Sequence, residues 1–308
     1  MISDLEAGNI RKQLWLRIPK GITVLGPSLF LFYINDMLCG LKSTVRLFAD
    51  DTIAVTSEAD AVYLQSDLNK LGIWEKKWKI EFHPDKCNVL TISKKANPIK
   101  FEYKLHGQTL KSVNNAKYLG CLITSDLCWT NHINSIFGKA NKTLGFLHRN
   151  LNIGSTTTKQ NAYNSLVRPT VEYVSKVWDL YTQRDIHTLE MVQCRGTRYV
   201  CNKHGNRSSV DTMLDTLKWK TLQRRRLNML YKIQNKEVAI STEKRLIPPS
   251  RFTRNMHNLS FQIPNSNSDY RKFSFFLHTI RDWNSLQPDI VSTGSHTTFK
   301  AKVAAMKD

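Results

Sequence analysis

Two short apolar segments flank a pair of neighbouring aspartates, and this arrangement constrains the fold more than any other feature of the sequence. Residues 45–49 and 53–55 have the length and composition of β-strands, with Asp50, Asp51 and Thr52 between them. The pattern predicts an antiparallel hairpin with the acidic pair at its turn. Two carboxylates there are costly unless a cation neutralises them, and Mg²⁺ prefers carboxylate oxygens shared with substrate phosphates. The pair therefore fits a phosphoryl-transfer site, although a solvated Asp-Asp turn without such a role is also common.

The segments around this hairpin alternate between helical and strand patterns. Residues 28–37 predict a buried helix that is entered after Gly26-Pro27, and residues 61–78 repeat apolar side chains at helical spacing. Apolar or alternating segments predict further strands at 89–92, 101–105 and 118–124, with a turn at His106-Gly107. This mixture predicts an α+β domain.

Beyond Thr130 the pattern becomes helical. Residues 133–151 carry one apolar stripe, and Lys139, Lys142 and Arg149 lie off it. Further helices are predicted near 156–167, 183–200, 218–237 and 274–283, and from residue 298. A polar segment with three prolines at 241–272 is typical of a loop or linker.

The charge balance indicates a polyanionic partner. Lys and Arg total 45 against 25 Asp and Glu, a formal net charge of +20. Residues 151–308 hold 25 basic and 12 acidic side chains, a surplus of 13, and residues 1–150 hold 20 and 13, a surplus of 7. Nucleic acid is the first partner that such a surplus suggests. A merely soluble basic surface is the alternative.

Cysteine content and hydropathy indicate an intracellular protein. Six cysteines in 308 residues are too few for a disulfide scaffold. No signal-peptide pattern is visible, and the most apolar run, residues 29–34, is far shorter than a membrane span. We expect a protein of the nucleus or cytoplasm with no membrane partner. The sequence does not define its oligomeric state.

Several sequence blocks follow one another in a characteristic order. The chain reads GITVLGPSLFLFYIND at 21–36, FADD at 48–51, HPDKCNV at 83–89 and KYLG at 117–120, followed by LVRPTVEY at 166–173 and RDWNSL at 281–286. This series resembles the reverse transcriptases of LINE-type (jockey-like) non-LTR retrotransposons. The resemblance runs from about residue 19 to the end of the chain.

The resemblance implies the C-terminal part of a right-hand polymerase. Residues 19–125 would form a partial palm, an antiparallel sheet with helices. Residues 126–240 would form an all-helical thumb-like region, and residues 241–308 a polar linker with C-terminal helices. Residues 1–18 remain unassigned.

The resemblance also implies RNA-directed DNA polymerase activity on an RNA template and a DNA primer. Asp50 and Asp51 would bind Mg²⁺ as catalytic residues, with Lys86 beside the incoming triphosphate. The remaining residues with implied roles are the nucleotide and template loop, Lys20, Gly21, Gly26 and Pro27, and the primer grip, Tyr118, Leu119 and Gly120.

Two departures from the family pattern bear on activity. The family's two-metal site uses a third Asp on an earlier palm strand, and only Asp4 and Glu6 precede Gly21, neither in a matching apolar strand. The chain also has Lys20 where the family has a glutamine. We therefore expect an incomplete Mg²⁺ site, and we expect that a polypeptide of residues 1–308 does not extend a primer on RNA. The alternatives are a non-catalytic nucleic-acid-binding remnant of a mobile element and a translated fragment without a selected function.

A dense group of cations in the second half is a candidate nucleic-acid contact. Its five members are Lys218, Lys220, Arg224, Arg225 and Arg226. Trp219 and Leu222 could anchor such a helix, leaving some cations to meet phosphates. A solvated basic helix face is the equal alternative. The tryptophans of the chain are predicted to be core residues.

Overall fold

The structure is a computed structural model with two compact units, Met1–Cys128 and Trp129–Asp308. The residues that it describes are 5–6, 25–48, 51–79, 81–93, 95, 98, 101–173, 175, 177, 182–203, 209–217, 219, 225–238, 240, 242–243, 245–253, 256–266 and 269–306. The division between the units lies close to the boundary at residue 125 that the sequence predicted.

The first unit combines two helices with short strands, in agreement with the predicted α+β class. Its elements in chain order are β1 (Leu5–Glu6), α1 (Leu25–Ile34), β2 (Thr44–Phe48), β3 (Asp51–Val55), α2 (Ala61–Trp78), β4 (Glu81–Phe82), β5 (Asn88–Leu90), β6 (Lys104–Leu105), β7 (Gln108–Thr109), β8 (Lys111–Val113), β9 (Asn115–Tyr118) and β10 (Cys121–Thr124). The pairs β1–β4, β2–β3, β6–β7 and β9–β10 are antiparallel, and β5–β8 is parallel. The described strands thus form small two-stranded sheets.

The core of the first unit is organised on α2, whose bounds match the prediction. Leu68, Leu71 and Trp74 recur at helical spacing, and they pack with residues of α1, β4 and the segment 103–110. The Trp74 indole donates a hydrogen bond to Asp36 (2.7 Å), and this bond ties the turn after α1 to α2. The helix ends where Lys79 adopts a left-handed conformation, with φ of 57°.

Helix α1 differs from the prediction in its start and in its burial. It begins at Leu25, so Gly26 and Pro27 lie inside its first turn rather than before it. Proline is tolerated there because N–H groups of the first turn have no partner within the helix. Phe32 is 83% exposed, because the helix is apolar on every side and only one side meets α2.

A buried carboxylate joins α2 to the start of β2. Asp67 accepts hydrogen bonds from the backbone N–H groups of Lys42 (2.9 and 3.1 Å) and Ser43 (2.7 Å), and the Lys70 ammonium lies 3.7 Å away. Burial alone would raise the pKa of Asp67, but the amide donors and Lys70 outweigh it and hold this pKa below its usual range. The side chain therefore stays ionised and fixes the point where β2 begins.

Two tight turns define the hairpins that follow. His106 and Gly107 have φ of 53° and 77° between β6 and β7, which confirms the predicted turn. Leu119 and Gly120 have φ of 45° and 80° between β9 and β10. The prediction that Tyr118, Leu119 and Gly120 begin a strand is therefore wrong. Tyr118 ends β9 and the next two residues form the turn. The sequence did not indicate this turn, because the residues around it form a nearly continuous apolar segment.

The described part of the second unit is helical, as predicted. Its helices are α3 (Thr130–Asn150), α4 (Thr156–Ala162), α5 (Arg168–Glu172), α6 (Gln183–Val200), α7 (Val210–Leu217), α8 (Arg225–Gln234), α9 (Asp269–Lys272), α10 (Phe275–Asn284), α11 (Pro288–Val291) and α12 (His296–Ala305). A π-helical turn, Tyr163–Val167, joins α4 to α5.

A close approach on α6 requires a glycine. The Tyr163 ring lies so close to Gly196 that a Cβ added there would overlap the ring. Trp219 stacks on the same ring, with centroids 4.4 Å apart. A side chain at position 196 would therefore displace both aromatic residues.

A second core joins α8 to the C-terminal helices. Leu230, Ile280, Trp283 and Phe299 are fully buried in it. Helix α8, which lies before the predicted division at residues 240 and 241, shares this core with α10 to α12, and that division stays a prediction. The predicted loop is confirmed for the described residues between 242 and 266. The core position of tryptophans is confirmed for Trp74, Trp219 and Trp283.

We predict that Asp67→Asn lowers the free energy of unfolding by about 2 kcal/mol at neutral pH, because an amide nitrogen would face an N–H donor. The folded-state pKa of Asp67 is lowered, so its contribution is complete above the unfolded-state pKa of about 3.9 and is lost as the pH falls through the folded-state value. Urea unfolding of both proteins should show the difference shrinking below about pH 4. The exposed neighbour Ser66→Ala is the control. A difference that persists unchanged in strong acid would contradict the prediction.

Candidate functional site

The predicted hairpin exists, but Asp51 lies at its edge rather than in its turn. Strands β2 and β3 pair so that Phe48 faces Asp51 and Leu47 faces Thr52. Asp51 is therefore the first residue of β3, which corrects its own predicted position in the turn. Asp50 lies outside the described residues, as does the prediction of where its side chain points.

The two faces of the hairpin differ in burial. Residues directly opposite each other in an antiparallel pair share a face. The face of Leu47 and Thr52 is turned inward: Thr52 is fully buried and Leu47 packs against the core that contains α2. The face of Phe48 and Asp51 is open, and Phe48 is 64% exposed. Asp51 is thus presented on the side of the hairpin from which a ligand could approach.

Asp51 has an electrostatic neighbour in the predicted primer grip. Burial raises the pKa of Tyr118, and the negative charge of Asp51 raises this pKa further. Tyr118 stands at the end of β9, next to the turn of the β9–β10 hairpin. The fold therefore brings a residue of the implied metal pair near a residue of the implied primer grip, although the two are far apart in sequence.

Lys86 lies in the same unit, at the end of a short 3₁₀ turn, Pro84–Lys86. The fully buried Cys87 follows it and fixes the turn against the core. Strand β5 then pairs with β8 and packs beside β9. This arrangement directs the segment after Lys86 towards the strand that carries Tyr118. The approach of the Lys86 ammonium to Asp51 stays a prediction.

The other predicted site residues of the first unit are only partly described. Gly26 and Pro27 contribute backbone to the first turn of α1. Lys20 and Gly21 lie outside the described residues. Within the described ranges, no three His, Cys, Asp or Glu side chains cluster as a metal site would require. The carboxylate that the described part of the hairpin carries is that of Asp51.

One member of the predicted cationic group, Arg226, forms an ion pair within the second unit. The Arg226 guanidinium binds Asp282 through Nε (3.0 Å) and Nη2 (2.6 Å), and Nη2 lies 3.1 Å from His278 Nε2. Its side chain is only 10% exposed. Arg226 therefore joins α8 to α10, and its contact with nucleic acid stays a prediction. Lys218, Lys220 and Arg224 lie outside the described residues, as does the side chain of Arg225, the first residue of α8.

A cationic face on α3 includes an aromatic residue that the sequence analysis missed. Lys139, Lys142, Phe146 and Arg149 follow at intervals of three and four residues, which places them on one side of the helix. All four are exposed, and Phe146 is 53% exposed. The face spans roughly 15 Å along the helix. The spacing was present in the sequence, but only the three cations had been noted.

A comparison with known protein families finds a match within the first unit. Residues 4–123 match the family described as "Reverse transcriptase (RNA-dependent DNA polymerase)", so this part of the chain is similar to that family. The match begins at residue 4, and most of the segment 1–18, unassigned from sequence, lies within it.

Curated relatives in Drosophila melanogaster are polymerases of mobile elements. The chain is 26% identical to "Probable RNA-directed DNA polymerase from transposon BS" over 59% of its length and 22% of the relative. It is 23% identical to "RNA-directed DNA polymerase from mobile element jockey" and 27% identical to the enzyme from transposon X-element, over 59% of this chain and 21% of each relative. The resemblance to jockey-like non-LTR elements is confirmed.

The chain spans about one fifth of the length of these relatives. No solved structure matches it. Among the helices that the structure describes, none is long and apolar enough to cross a membrane.

We predict that Asp51→Asn lowers the pKa of Tyr118, because it removes the negative charge that opposes ionisation of the phenol. Burial of the phenol remains in the variant, so the pKa stays above its ordinary value. The measurement is an NMR titration of the tyrosine ring carbons, with Tyr118→Phe to assign the signal. Asp60→Asn, at an exposed carboxylate before α2, is the matched control. An identical Tyr118 titration in wild type and Asp51→Asn would refute the arrangement.

Proposed function

We propose that this chain provides the carboxylate-bearing part of the palm, and the helical region after it, of an RNA-directed DNA polymerase from a non-LTR mobile element. The observation that carries the proposal is the β2–β3 hairpin, which presents Asp51 on its open face beside Tyr118. An RNA template and a DNA primer are the partners that this activity requires. The family match and the relatives' names support the same reading.

The donor atoms of the hairpin fit a magnesium ion. Mg²⁺ is usually held by one or two carboxylates, with substrate phosphates and water completing its octahedron. Asp51, together with the adjacent Asp50, would supply such carboxylates. When bound, the ion stabilises negative charge on the transferred phosphoryl group and on the oxygens that attack and leave it.

Other residues of the chain would position the substrates around that pair. Lys86 would place its ammonium against the triphosphate as a charge partner. The turn after Tyr118 would hold the primer end, and Lys20 and Gly21 would border the nucleotide. The buried side chain of Thr52 and the hydrogen bonds of Asp67 to the start of β2 hold the hairpin against the core, so that Asp51 keeps a constant position.

We predict that Mn²⁺, which prefers the same hard oxygen ligands as Mg²⁺, binds the full chain at the hairpin in the presence of a deoxynucleoside triphosphate. Paramagnetic broadening should weaken the amide NMR signals of Thr52 and Tyr118. Asp51→Asn should largely abolish this broadening. Asp85→Asn, which neutralises an exposed carboxylate before β5, should not. Equal broadening in both variants would reject the proposed metal site.

A second candidate function, nucleic-acid binding without chemistry, is favoured by the α3 face. Exposed Lys139, Lys142 and Arg149 suit phosphates, and the exposed ring of Phe146 between them suits stacking on a base. This face needs no metal. Nucleic-acid binding at the α3 face is expected of an active polymerase and of an inactive remnant alike.

We predict that Lys142→Ala weakens RNA binding and lowers the slope of log affinity against log salt by about one, because one fewer counterion is released. Phe146→Ala should weaken binding while leaving the slope unchanged. Filter binding of an RNA hairpin at several salt concentrations measures both quantities. Lys300→Ala, an exposed cation on α12, is the control. Affinities and slopes that are the same in all four proteins would exclude the α3 face.

A further inference from the structure

The first unit carries a groove away from the carboxylate hairpin. It has a volume of about 600 Å³ and lies between one side of α2 and the segment 101–107. Gln65, Gly72, Ile73 and Lys76 border it on the α2 side. Neither Asp51 nor Tyr118 lines it, so it is separate from the proposed polymerase site.

The floor and lips of the groove are apolar. Leu68 and Leu105 form a fully buried floor, whereas Ile73 is 69% and Phe101 38% exposed at the lips. Between them lies Gly72, where an added Cβ would meet nothing within 4 Å. Large apolar side chains on a rim around open space are typical of a surface that receives another side chain.

The polar groups at the ends of the groove are already engaged. The Gln65 side chain accepts a hydrogen bond from Lys104 N (2.8 Å) and donates to Lys104 O (2.9 Å). It therefore occupies the backbone edge that an added β-strand would need. His106 lies 2.9 Å from the carboxylate of Glu75. What remains for a ligand is apolar surface together with the ammonium groups of the rim.

The charged groups of the rim favour an acidic ligand. Lys76 and Lys104 border the groove with exposed side chains, and Glu102 opposes them with a single negative charge. The chain as a whole has a net charge of +20, which increases the attraction of any acidic partner. Apolar contact flanked by ammonium groups is complementary to a helix with one apolar face and acidic flanks.

We propose that this groove binds an acidic amphipathic helix of a partner protein. An apolar side chain of the partner enters above Gly72 and packs on Leu68 and Leu105, between Ile73 and Phe101. Carboxylates on the flanks of the partner helix meet Lys76 and Lys104. The absence of a side chain at Gly72 allows the partner helix to approach α2 closely.

The test uses the full chain and a synthetic peptide as the probe. The peptide is an acidic helix of two to three turns with leucines along one face and glutamates elsewhere, and its binding is followed by fluorescence anisotropy. Gly72→Leu should weaken binding at least tenfold by filling the groove. The open space around Gly72 lets this variant fold, and leucine favours a helix more than glycine does. Lys76→Glu should weaken binding similarly through like-charge repulsion.

Matched controls separate the groove from general charge attraction. Ser66→Leu adds the same side chain on α2 outside the groove, and Lys111→Glu reverses an exposed cation on β8, so both should bind like wild type. A peptide of identical composition with its leucines distributed around the helix should bind at least tenfold more weakly. Three outcomes overturn the proposal: unchanged binding in Gly72→Leu, equal binding of the two peptides, or a single-stranded oligonucleotide that competes with the peptide and loses its own binding in Gly72→Leu.

Discussion

The first unit depends on how the buried carboxylate of Asp67 is satisfied. The chain turns from α1 into β2 at Lys42 and Ser43, and the Asp67 carboxylate of α2 accepts hydrogen bonds from the N–H groups of both residues. A buried carboxylate is stable only when donors of this kind surround it, so the burial of Asp67 requires the backbone to hold this course. These hydrogen bonds to Asp67 fix the position of β2, and because β2 pairs with β3 they also fix the position of Asp51.

Local patterns predicted the elements whose residues interact with near neighbours. The apolar spacing of α2 gave both of its ends, and glycine at position 107 marked a turn, because these signals require no distant partner. The turn at Leu119 was not predicted, because leucine rarely adopts a positive φ and therefore does not indicate a turn in a sequence. The partner of Arg226 is 56 residues away, so its charge alone suggested a phosphate contact.

The candidate site was predictable as residue types but not as an arrangement. FADD indicated metal ligands because paired carboxylates at a hairpin need a cation. The closeness of Tyr118 to Asp51 depends instead on how β9 packs, and no local spacing contains that information. Phe146 was overlooked for the opposite reason. Its spacing from the α3 cations was visible, but an apolar residue is expected inside until its exposure is known.

The shared core of α8 and α10 to α12 has a consequence for a broken chain. The described residues 245–253 lie between these helices, have no regular structure, and several of them are exposed. A protease would therefore cleave the chain in this segment. The Arg226–Asp282 ion pair and the contacts of Leu230 with the C-terminal helices would join the two fragments that such a cleavage produces. The two fragments would therefore remain one body under native conditions and separate only in denaturant. An intact mass in gel filtration would conceal a cleaved chain.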